Sequence, residues 1–167
     1  KYGHPDVMVT NNYPRDFRKA GLLFDLIVAD VPCSGEGMFR KDAGAIAEWS
    51  RQNVENCYRL QREIIEDIWP CLRLGGILVY STCTFNEQEN EDNIAWIRGL
   101  GADVLDIDIS EEWNITGALK GEDSLYRFIP GRSRSEGLCM AVLRKSDDTV
   151  LTARRAKDRG KPAKTRP

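Results

Sequence analysis

The sequence predicts an α/β fold in which a mainly parallel sheet carries helices on its faces. Two near-continuous apolar runs, residues 24–30 (FDLIVAD) and 77–81 (ILVYS), have the length and composition of strands covered on both faces. An amphipathic helix pattern lies between them, which is the order of a strand–helix–strand unit. The 167 residues are enough for one domain with a hydrophobic core.

The first half of the chain is predicted to contain two strands and one long helix. Residues 6–10 (DVMVT) are a short strand candidate, and the first apolar run is a stronger one. Over residues 50–72 apolar side chains recur mostly three or four positions apart, which predicts a helix with Ser50 as its N-cap. Pro70 strains the last turn of this helix, and the glycine pair at 75–76 is expected to end it.

The second half is predicted to contain one more helix and the remaining strands. Asn86 precedes Glu89 by three residues, a capping-box spacing, so a helix is expected from there to about Gly99. The acidic side chains of this segment are assigned to the helix N-terminus: Glu87, Glu89 and Glu91. The other predicted strands, of which the last two form an antiparallel pair, are 102–109, 126–130 and 138–145. The four tryptophans are assigned to the core or to half-buried surface: Trp49, Trp69, Trp96 and Trp113.

Charge divides the chain into an acidic body and a basic tail. Seven basic side chains and one acidic side chain follow residue 150, a net charge of +6, so residues 1–150 carry −8 of the total of −2. We therefore predict a domain over 1–146 and a basic tail or linker over 147–167. Such a tail is a candidate nucleic-acid arm, and a solvated linker is the ordinary alternative.

Composition excludes several classes of protein. The five cysteines are odd in number and form no CxxC pair, and the single histidine, His4, cannot complete a zinc set. A disulfide scaffold and a structural metal site are therefore not expected, and a reducing cytoplasm fits best. No run approaches the roughly 20 apolar residues that cross a membrane, and the N-terminus does not resemble a signal peptide.

Two cysteine-containing loops follow the two apolar strands directly. Asp30 and Cys33 come after the first strand, and Cys83 comes after the second. In open α/β sheets ligands bind beyond the carboxyl ends of the strands, so neighbouring parallel strands would place these three side chains in one crevice. The other cysteines, Cys57, Cys71 and Cys139, lie in apolar or amphipathic stretches and are interpreted as small core residues. For Cys33 and Cys83, loop position alone leaves both interpretations open.

Two thiols beside one carboxyl group suit methylation of a pyrimidine. Carbon-5 of cytosine becomes nucleophilic when a thiolate adds to carbon-6, and a carboxyl group at nitrogen-3 stabilises the charge that develops. A second polar group can then assist departure of the carbon-5 proton and of the thiol. This is covalent catalysis, and only the thiolate form performs it.

The two loops carry a resemblance to a known family. DVPCSGEGMFRKD at 30–42 and YSTCTFNEQENE at 80–91 resemble the two signature motifs of the Sun-type RNA cytosine-5 methyltransferases, most closely the bacterial ribosomal-RNA enzymes of the RsmF kind. The resemblance extends through LRLGG to EGLCMAVLRK and covers roughly residues 7–145. It implies S-adenosyl-L-methionine as cofactor and RNA, specifically ribosomal RNA, as partner.

The resemblance also implies roles for individual residues. Cys83, in the TCT motif, matches the family's nucleophile, and Cys33 matches the cysteine that assists product release. Asp30 matches an aspartate that contacts the base and lies against the cofactor. Asn11 is the nearest candidate for a further cofactor contact, in the loop after residues 6–10. Arg40 and the following lysine match a basic pair near the RNA path, with an ordinary surface pair as the alternative.

The family's glycine-rich cofactor loop has no counterpart in this sequence. The resemblance implies a Rossmann-like class I methyltransferase sheet of order 3-2-1-4-5-7-6, in which strands 1 and 2 are missing from the chain. A contiguous 4-5-7-6 block and a lone strand 3 would remain, with a bare edge on strand 4. We therefore expect residues 1–146 to be the C-terminal part of a catalytic domain whose N-terminal part lies elsewhere in the same protein or in another chain.

Two other interpretations compete with an RNA cytosine-5 methyltransferase. A DNA cytosine-5 methyltransferase uses its proline-cysteine loop for the nucleophile, and the second cysteine at Cys83 argues against it. A non-catalytic RNA-binding or interaction fragment is the alternative from another class, and the missing cofactor loop supports it. We expect a fragment with these bounds to be inactive alone.

Overall fold

The structure is a computed structural model that describes residues 3–147. Its strands are β1 (Phe24–Asp30), β2 (Leu72–Thr82), β3 (Ala102–Leu105), β4 (Tyr126–Phe128) and β5 (Leu138–Lys145). Its helices are α1 (Pro14–Lys19), α2 (Ala43–Glu48), α3 (Arg51–Ile68) and α4 (Glu91–Arg98). Short 3-10 turns cover Glu36–Met38, Trp69–Cys71 and Glu111–Trp113. Within the described range no helix has the length and apolar composition needed to cross a bilayer. The predicted basic tail lies almost entirely outside the described residues.

One mixed sheet organises the molecule, with strand order β1-β2-β5-β3 and with β4 also paired to β5. β1 and β2 are parallel, whereas β5 runs antiparallel to β2, β3 and β4. The order reproduces the predicted 4-5-7-6 block, and the predicted antiparallel pairing of β4 with β5 is correct. β1 occupies the edge of the sheet, so one side of its backbone has no strand partner among the described residues.

The parallel pairing of β1 with β2 brings their carboxyl ends together. Asp30 lies opposite Ser81 in the register, and the pairing continues one residue further, where the Val31 backbone amide donates to the Ser81 carbonyl at 3.1 Å. Parallel strands end at the same edge of a sheet, so the loops that follow β1 and β2 start side by side.

The hydrophobic core lies between one face of the sheet and the helices α3 and α4. It contains side chains from both helices, from the 3-10 turn after α3 and from the central strands: Ile65, Trp69, Leu78, Tyr80, Ile94, Ile97 and Leu143. The opposite face of β1 is open, because Leu26 is 56% exposed and Val28 is 63% exposed. The expectation that β1 is covered on both faces is therefore wrong for the described part of the chain.

Helix α3 begins as predicted but ends earlier. The Ser50 side chain accepts a hydrogen bond from the Asn53 backbone amide at 3.0 Å, which caps the helix. The helix stops at Ile68, because Pro70 has no amide hydrogen and clashes with the preceding turn, and a 3-10 turn takes over. β2 already starts at Leu72, so the glycine pair at 75–76 lies inside a strand and does not end the helix.

Other predicted elements also differ from the structure, including the strand predicted over 126–130, which ends at Phe128. Residues 6–10 form no strand, because no described strand lies beside them to supply hydrogen-bond partners, and Met8 is 88% exposed. The strand predicted over 102–109 ends at Leu105, where its pairing with β5 ends. Asn86 accepts a hydrogen bond from the Glu89 backbone amide as predicted, but α4 starts only at Glu91, after an intervening turn.

A buried ion pair fastens β4 to α4. The Arg127 guanidinium donates to both carboxylate oxygens of Glu91 at 2.7 Å, and the two side chains are 1% and 6% exposed. Arg127 also donates to the Phe85 carbonyl at 3.4 Å, in the loop that follows β2. Separating the two side chains would leave an uncompensated buried charge, which is strongly unfavourable. The Arg127 side chain therefore holds β4 against α4 and against the loop that follows Cys83.

Candidate active site at the ends of β1 and β2

Two cysteine side chains meet beyond the carboxyl ends of β1 and β2. The Cys33 sulfur lies 2.9 Å from the Cys83 sulfur, although 50 residues separate them along the chain. The Cys83 backbone amide also points at the Cys33 sulfur, at 3.2 Å. Both cysteines are free and only partly buried. The structure therefore brings together the two thiols that the sequence places after neighbouring strands.

The contact between the two thiols shifts their pKa values in opposite directions. A hydrogen bond from Cys33 lowers the pKa of Cys83 to about 7, against opposing effects of burial and of the charges on Asp30 and Glu89. The pKa of Cys33 is raised, first by its hydrogen bond to Cys83 and then by burial. One proton of the pair is thus lost near neutral pH and the other is retained, which gives one thiolate with an adjacent thiol.

Asp30 completes the group of side chains at this edge of the sheet. It is the last residue of β1, its side chain is exposed, and its carboxylate accepts a hydrogen bond from the Ser81 hydroxyl at 2.9 Å. Its charge reaches Cys83, because it raises the pKa of that thiol. Asn11 is not brought to the cysteines by any recorded contact: it lies in an exposed segment before α1 and has no side-chain hydrogen bond within residues 3–147.

Close backbone packing holds the two loops against each other. The Gly37 backbone amide donates to the Cys83 carbonyl at 2.7 Å. A Cβ atom at position 37 would lie 2.7 Å from that carbonyl oxygen, so only glycine fits here. Gly137, directly before β5, packs against Gly37 as well, and a Cβ atom at position 137 would lie 2.7 Å from the Gly37 Cα atom. Three segments therefore converge on the backbone of Cys83.

A buried carboxylate supports the proline-cysteine loop from below. Glu89 is fully buried and accepts hydrogen bonds from the Ser34 backbone amide at 3.1 Å and from the Gln61 amide at 2.7 Å. The same Gln61 amide group donates to the Pro32 carbonyl at 2.8 Å. The residues on both sides of Cys33 are thus fixed by partners on α3 and in the loop before α4. Buried polar groups that are satisfied in this way rigidify a site.

The network continues through the core to β2. The Tyr80 hydroxyl lies 3.1 Å from the Gln61 side-chain oxygen and 2.8 Å from the Glu89 carbonyl, and it donates its single hydrogen to one of these two acceptors. The Asn93 side chain donates to the same Gln61 oxygen at 2.7 Å. Burial is the main cause of the raised pKa of Tyr80, so this phenol stays protonated and remains a donor. The loop that holds Cys33 is therefore connected to the strand that carries Cys83.

A second carboxylate joins the two loops nearer the surface. Glu36 accepts hydrogen bonds from the Phe85 backbone amide at 2.8 Å and from the Trp49 indole at 3.2 Å. The Ser34 and Thr84 hydroxyls lie 3.0 Å apart and link the residues that follow each cysteine. Residues after Cys33 are therefore tied to residues after Cys83 at two separate points.

Several polar residues have structural roles that their sequence positions do not reveal. Glu91 lies in the first turn of α4 as predicted, but it is buried against Arg127. Glu89 precedes the helix and is buried under the Cys33 loop. Only Glu87 of that group is exposed. Gln61 also escaped notice, because its partners lie 28 and 29 residues away along the chain. The sequence did contain one signal of its role: Gln61 is a polar residue on the apolar face of an amphipathic helix.

The other predicted residues occupy ordinary positions. Cys71 and Cys139 are buried as predicted, and burial raises the pKa of Cys139 to about 12. Lys41 forms an ion pair with Glu136, and Arg40 is exposed. Within the range that the structure describes, no group of histidine, cysteine and carboxylate side chains could hold a metal ion.

The arrangement can perform covalent chemistry on a flat, electrophilic ring. One sulfur ionises near neutral pH, a neighbouring thiol retains its proton, and an exposed carboxylate stands beside them. The three groups project beyond the ends of parallel strands, where α/β folds bind ligands.

Comparison with known families identifies the fold and the motifs. The family model of the 16S rRNA methyltransferases RsmB/F matches residues 3–144. The chain belongs to this family. The predicted resemblance to Sun-type methyltransferases is confirmed.

Curated relatives in the RsmB/F family agree with the assignment. The ribosomal RNA small subunit methyltransferase F of Shigella dysenteriae is 38% identical over 125 residues, which are 74% of this chain and 26% of that protein. The corresponding protein of Salmonella paratyphi A is 41% identical over the same length and the same shares. The chain therefore spans about a quarter of the length of the curated relatives it matches.

Solved structures confirm the fold class. NSun6 from Pyrococcus horikoshii, solved with SFG, superposes with a TM-score of 0.72 at 29% identity, over 86% of this chain and 36% of that one. A methyltransferase homolog from the same organism superposes with a TM-score of 0.66 at 26% identity, over 83% of this chain and 44% of that one. The predicted Rossmann-like class I methyltransferase sheet is therefore correct.

Proposed function

We propose that the full-length protein transfers a methyl group from S-adenosyl-L-methionine to carbon-5 of a cytosine in ribosomal RNA, with Cys83 as nucleophile. The observation that carries this proposal is the 2.9 Å approach of the Cys33 and Cys83 sulfurs beside Asp30. Membership of a 16S rRNA methyltransferase family supports methyl transfer to RNA. The pair of thiols supports carbon-5 of a pyrimidine as the acceptor, because that carbon requires covalent activation.

Cys83 begins the proposed reaction by adding to the ring. Its thiolate forms a bond to carbon-6, and the ring becomes an enamine whose carbon-5 is nucleophilic. Asp30 acts here with its carboxyl group protonated: it donates that proton to nitrogen-3, where negative charge develops, since the group stands beside the thiols at the end of β1. The pKa of Cys83, about 7, supplies a large thiolate fraction at neutral pH without a separate base.

Cys33 acts in the second half of the proposed reaction. After carbon-5 has gained its methyl group, the proton on carbon-5 leaves and the bond between carbon-6 and the Cys83 sulfur breaks. Cys33 assists this release, because its thiol lies beside the departing sulfur with its proton in place. It gives that proton to the Cys83 sulfur as the bond breaks, and the Cys33 thiolate that results takes the proton from carbon-5. The two proposed roles match the pKa values of the pair: the thiol with the lowered pKa attacks, and the thiol with the raised pKa assists release.

The cofactor site is proposed to be shared with another part of the protein. S-Adenosyl-L-methionine supplies the electrophilic methyl group, and the NSun6 relative was solved with SFG, an analogue of it. Asp30 fits one side of such a site, since its exposed carboxylate has only the Ser81 hydroxyl as a hydrogen-bond donor among the described residues. Asn11 is proposed as a second contact. No glycine-rich loop joins a strand to a helix within residues 3–147, so we propose that the remaining contacts come from elsewhere in the full-length protein.

The proposed substrate is a cytosine that has left its stack. A ring within a duplex cannot present carbon-6 to a thiolate, and enzymes that modify bases act on extruded or single-stranded nucleotides. We propose that the protein acts on such a cytosine of ribosomal RNA in the cytoplasm.

Incubation of the full-length protein with small-subunit RNA and S-adenosyl-L-methionine tests the proposal. We expect mass spectrometry of the digested RNA to detect 5-methylcytosine. A methyl group on another base, or on the exocyclic amine of cytosine, would contradict the proposed chemistry. The chain with the present bounds is assayed in parallel, and we expect RNA binding without turnover. Full activity of that chain alone would contradict the shared cofactor site.

A further inference from the structure

A cavity beside the turn between β4 and β5 has the composition of a nucleotide site. It has a volume of about 570 Å³ and lies between the 3-10 turn Glu111–Trp113, the end of β4 and the turn that joins β4 to β5. We name it the Trp113 pocket after its lining residues Trp113, Phe128, Arg132 and Arg134, together with Glu112 and Asn114. Its volume lies within the range of small-ligand sites.

The aromatic side chains of the pocket are available for stacking. Trp113 is 58% exposed, so the prediction that it lies in the core or in half-buried surface is wrong. Phe128, at the end of β4, is half-buried and lines the same cavity. Aromatic faces are the groups on which single-stranded bases stack.

Two arginines give the pocket its charge. Arg132 and Arg134 are both exposed, and neither forms an ion pair or a side-chain hydrogen bond with any residue in 3–147. Glu112 is the one acidic side chain in the lining, so the lining carries a net positive charge. Free guanidinium groups next to an exposed indole fit a phosphate backbone with stacked bases better than an apolar or acidic partner.

The pocket is attached to the candidate active site through the β4–β5 turn. That turn ends at Gly137, whose backbone packs against Gly37, and Gly37 donates to the Cys83 carbonyl. Glu136 in the same turn forms an ion pair with Lys41, in the loop that follows Cys33. A strand of RNA with one base at Cys83 would therefore pass its neighbouring nucleotides close to the pocket.

We propose that the Trp113 pocket binds a nucleotide of single-stranded RNA that flanks the target base. The Trp113 indole stacks on the base, and Arg132 and Arg134 hold adjacent phosphates. This inference rests on the proposed function, since it names how the RNA substrate of the same site is held. It adds a specificity-determining subsite outside the catalytic group of Cys83, Cys33 and Asp30.

Equilibrium binding of a short unstructured RNA to the full-length protein tests the subsite without any methyl transfer. We expect Trp113→Ala to weaken binding roughly tenfold or more, and Trp113→Phe to retain most of the affinity because stacking survives. Arg132→Gln and Arg134→Gln should each lower the slope of log affinity against log salt by about 0.7. Thermal melting checks that each variant is folded.

A matched control separates a local contact from general electrostatics. Arg73 is exposed and lies at the start of β2, roughly 30 Å along that strand from Cys83, so Arg73→Gln should leave RNA affinity unchanged. In methylation assays Trp113→Ala should raise the KM for RNA more than it lowers kcat. Unchanged RNA affinity in Trp113→Ala would overturn the inference. The same result is expected if the pocket binds a protein segment and not RNA. Loss of RNA affinity without methylation by the unmodified protein would contradict the proposed function and leave the subsite supported.

Discussion

The sulfur atoms of Cys33 and Cys83 lie 2.9 Å apart and share one hydrogen bond. Their proximity follows from the parallel pairing of β1 with β2, which ends both strands at one edge of the sheet. Neither loop could create the contact alone, because Glu89, Gln61 and Gly37 fix the two loops relative to each other. The acidity of this pair, the order in which its members act and the support beneath it can each be tested.

The reactivity of Cys83 should depend on pH with a midpoint near neutrality. Its pKa is lowered to about 7 by the hydrogen bond from Cys33, so alkylation by iodoacetamide should rise as pH increases through 7. In Cys33→Ala this hydrogen bond is lost, while burial and the charges on Asp30 and Glu89 still oppose ionisation. The midpoint should therefore move to higher pH, towards the ordinary value of a thiol.

Peptide mass spectrometry measures the alkylation of each cysteine separately. Cys57 provides an internal control, because its pKa is raised by burial and its reactivity at neutral pH should be low in both proteins. An unchanged midpoint for Cys83 in the Cys33→Ala variant would contradict a shared hydrogen bond.

The two thiols should fail at different steps when each is removed. We expect Cys83→Ala to abolish methylation and to form no covalent complex with RNA. Cys33→Ala should slow turnover by about 10²–10⁴-fold, the usual contribution of acid–base assistance, and should accumulate a covalent complex that denaturing electrophoresis detects. The reason is that addition by Cys83 survives, whereas release loses its assisting thiol.

A double variant and a distant cysteine complete this test. Cys33→Ala combined with Cys83→Ala should form no complex, and Cys57→Ala should behave as the unmodified protein. A complex that accumulates in Cys83→Ala but not in Cys33→Ala would reverse the assignment of the two roles.

The buried carboxylate of Glu89 should contribute to both stability and activity. In Glu89→Gln a side-chain NH₂ group would face the donors on Ser34, Gln61 or Asn86, which leaves a buried donor without an acceptor. We expect the free energy of unfolding to fall by about 1–3 kcal/mol, and methylation to fall with it as the Cys33 loop loosens. Urea titration followed by tryptophan fluorescence measures the change.

Glu87 provides the matched substitution for Glu89. Its side chain is 46% exposed and pairs with Lys120 at the surface, so Glu87→Gln should cost less than about 1 kcal/mol. If Glu89→Gln and Glu87→Gln lowered the free energy of unfolding equally, Glu89 would not be the buried support of the loop.

The sequence contained enough information to predict the central part of the sheet and the positions of the two cysteine loops. Continuous apolar runs identified β1 and β2, and a proline-cysteine or threonine-cysteine loop directly after each run located Cys33 and Cys83 at the carboxyl edge. These signals are local along the chain. The N-cap at Ser50 was predictable for the same reason, since capping involves residues three positions apart.

Features that depend on distant partners were not predictable in this way. Residues 6–10 have a strand-like composition, but a strand requires a neighbour, and none is present among the described residues. Glu89 has the same spacing as a capping residue, and only the fold shows that it lies beneath Ser34, 55 residues away. The exposure of Trp113 likewise depends on how the chain around β4 is placed.

The most direct test of the central claim is to trap and map the covalent bond. RNA containing 5-fluorocytosine at the target position cannot lose its carbon-5 substituent, so the full-length protein with S-adenosyl-L-methionine should remain attached to it. After digestion, we expect mass spectrometry to find the modified nucleotide on Cys83, bonded through carbon-6 and carrying an additional methyl group. Attachment to Cys33, or recovery of unattached protein after complete mixing with this RNA, would contradict the account.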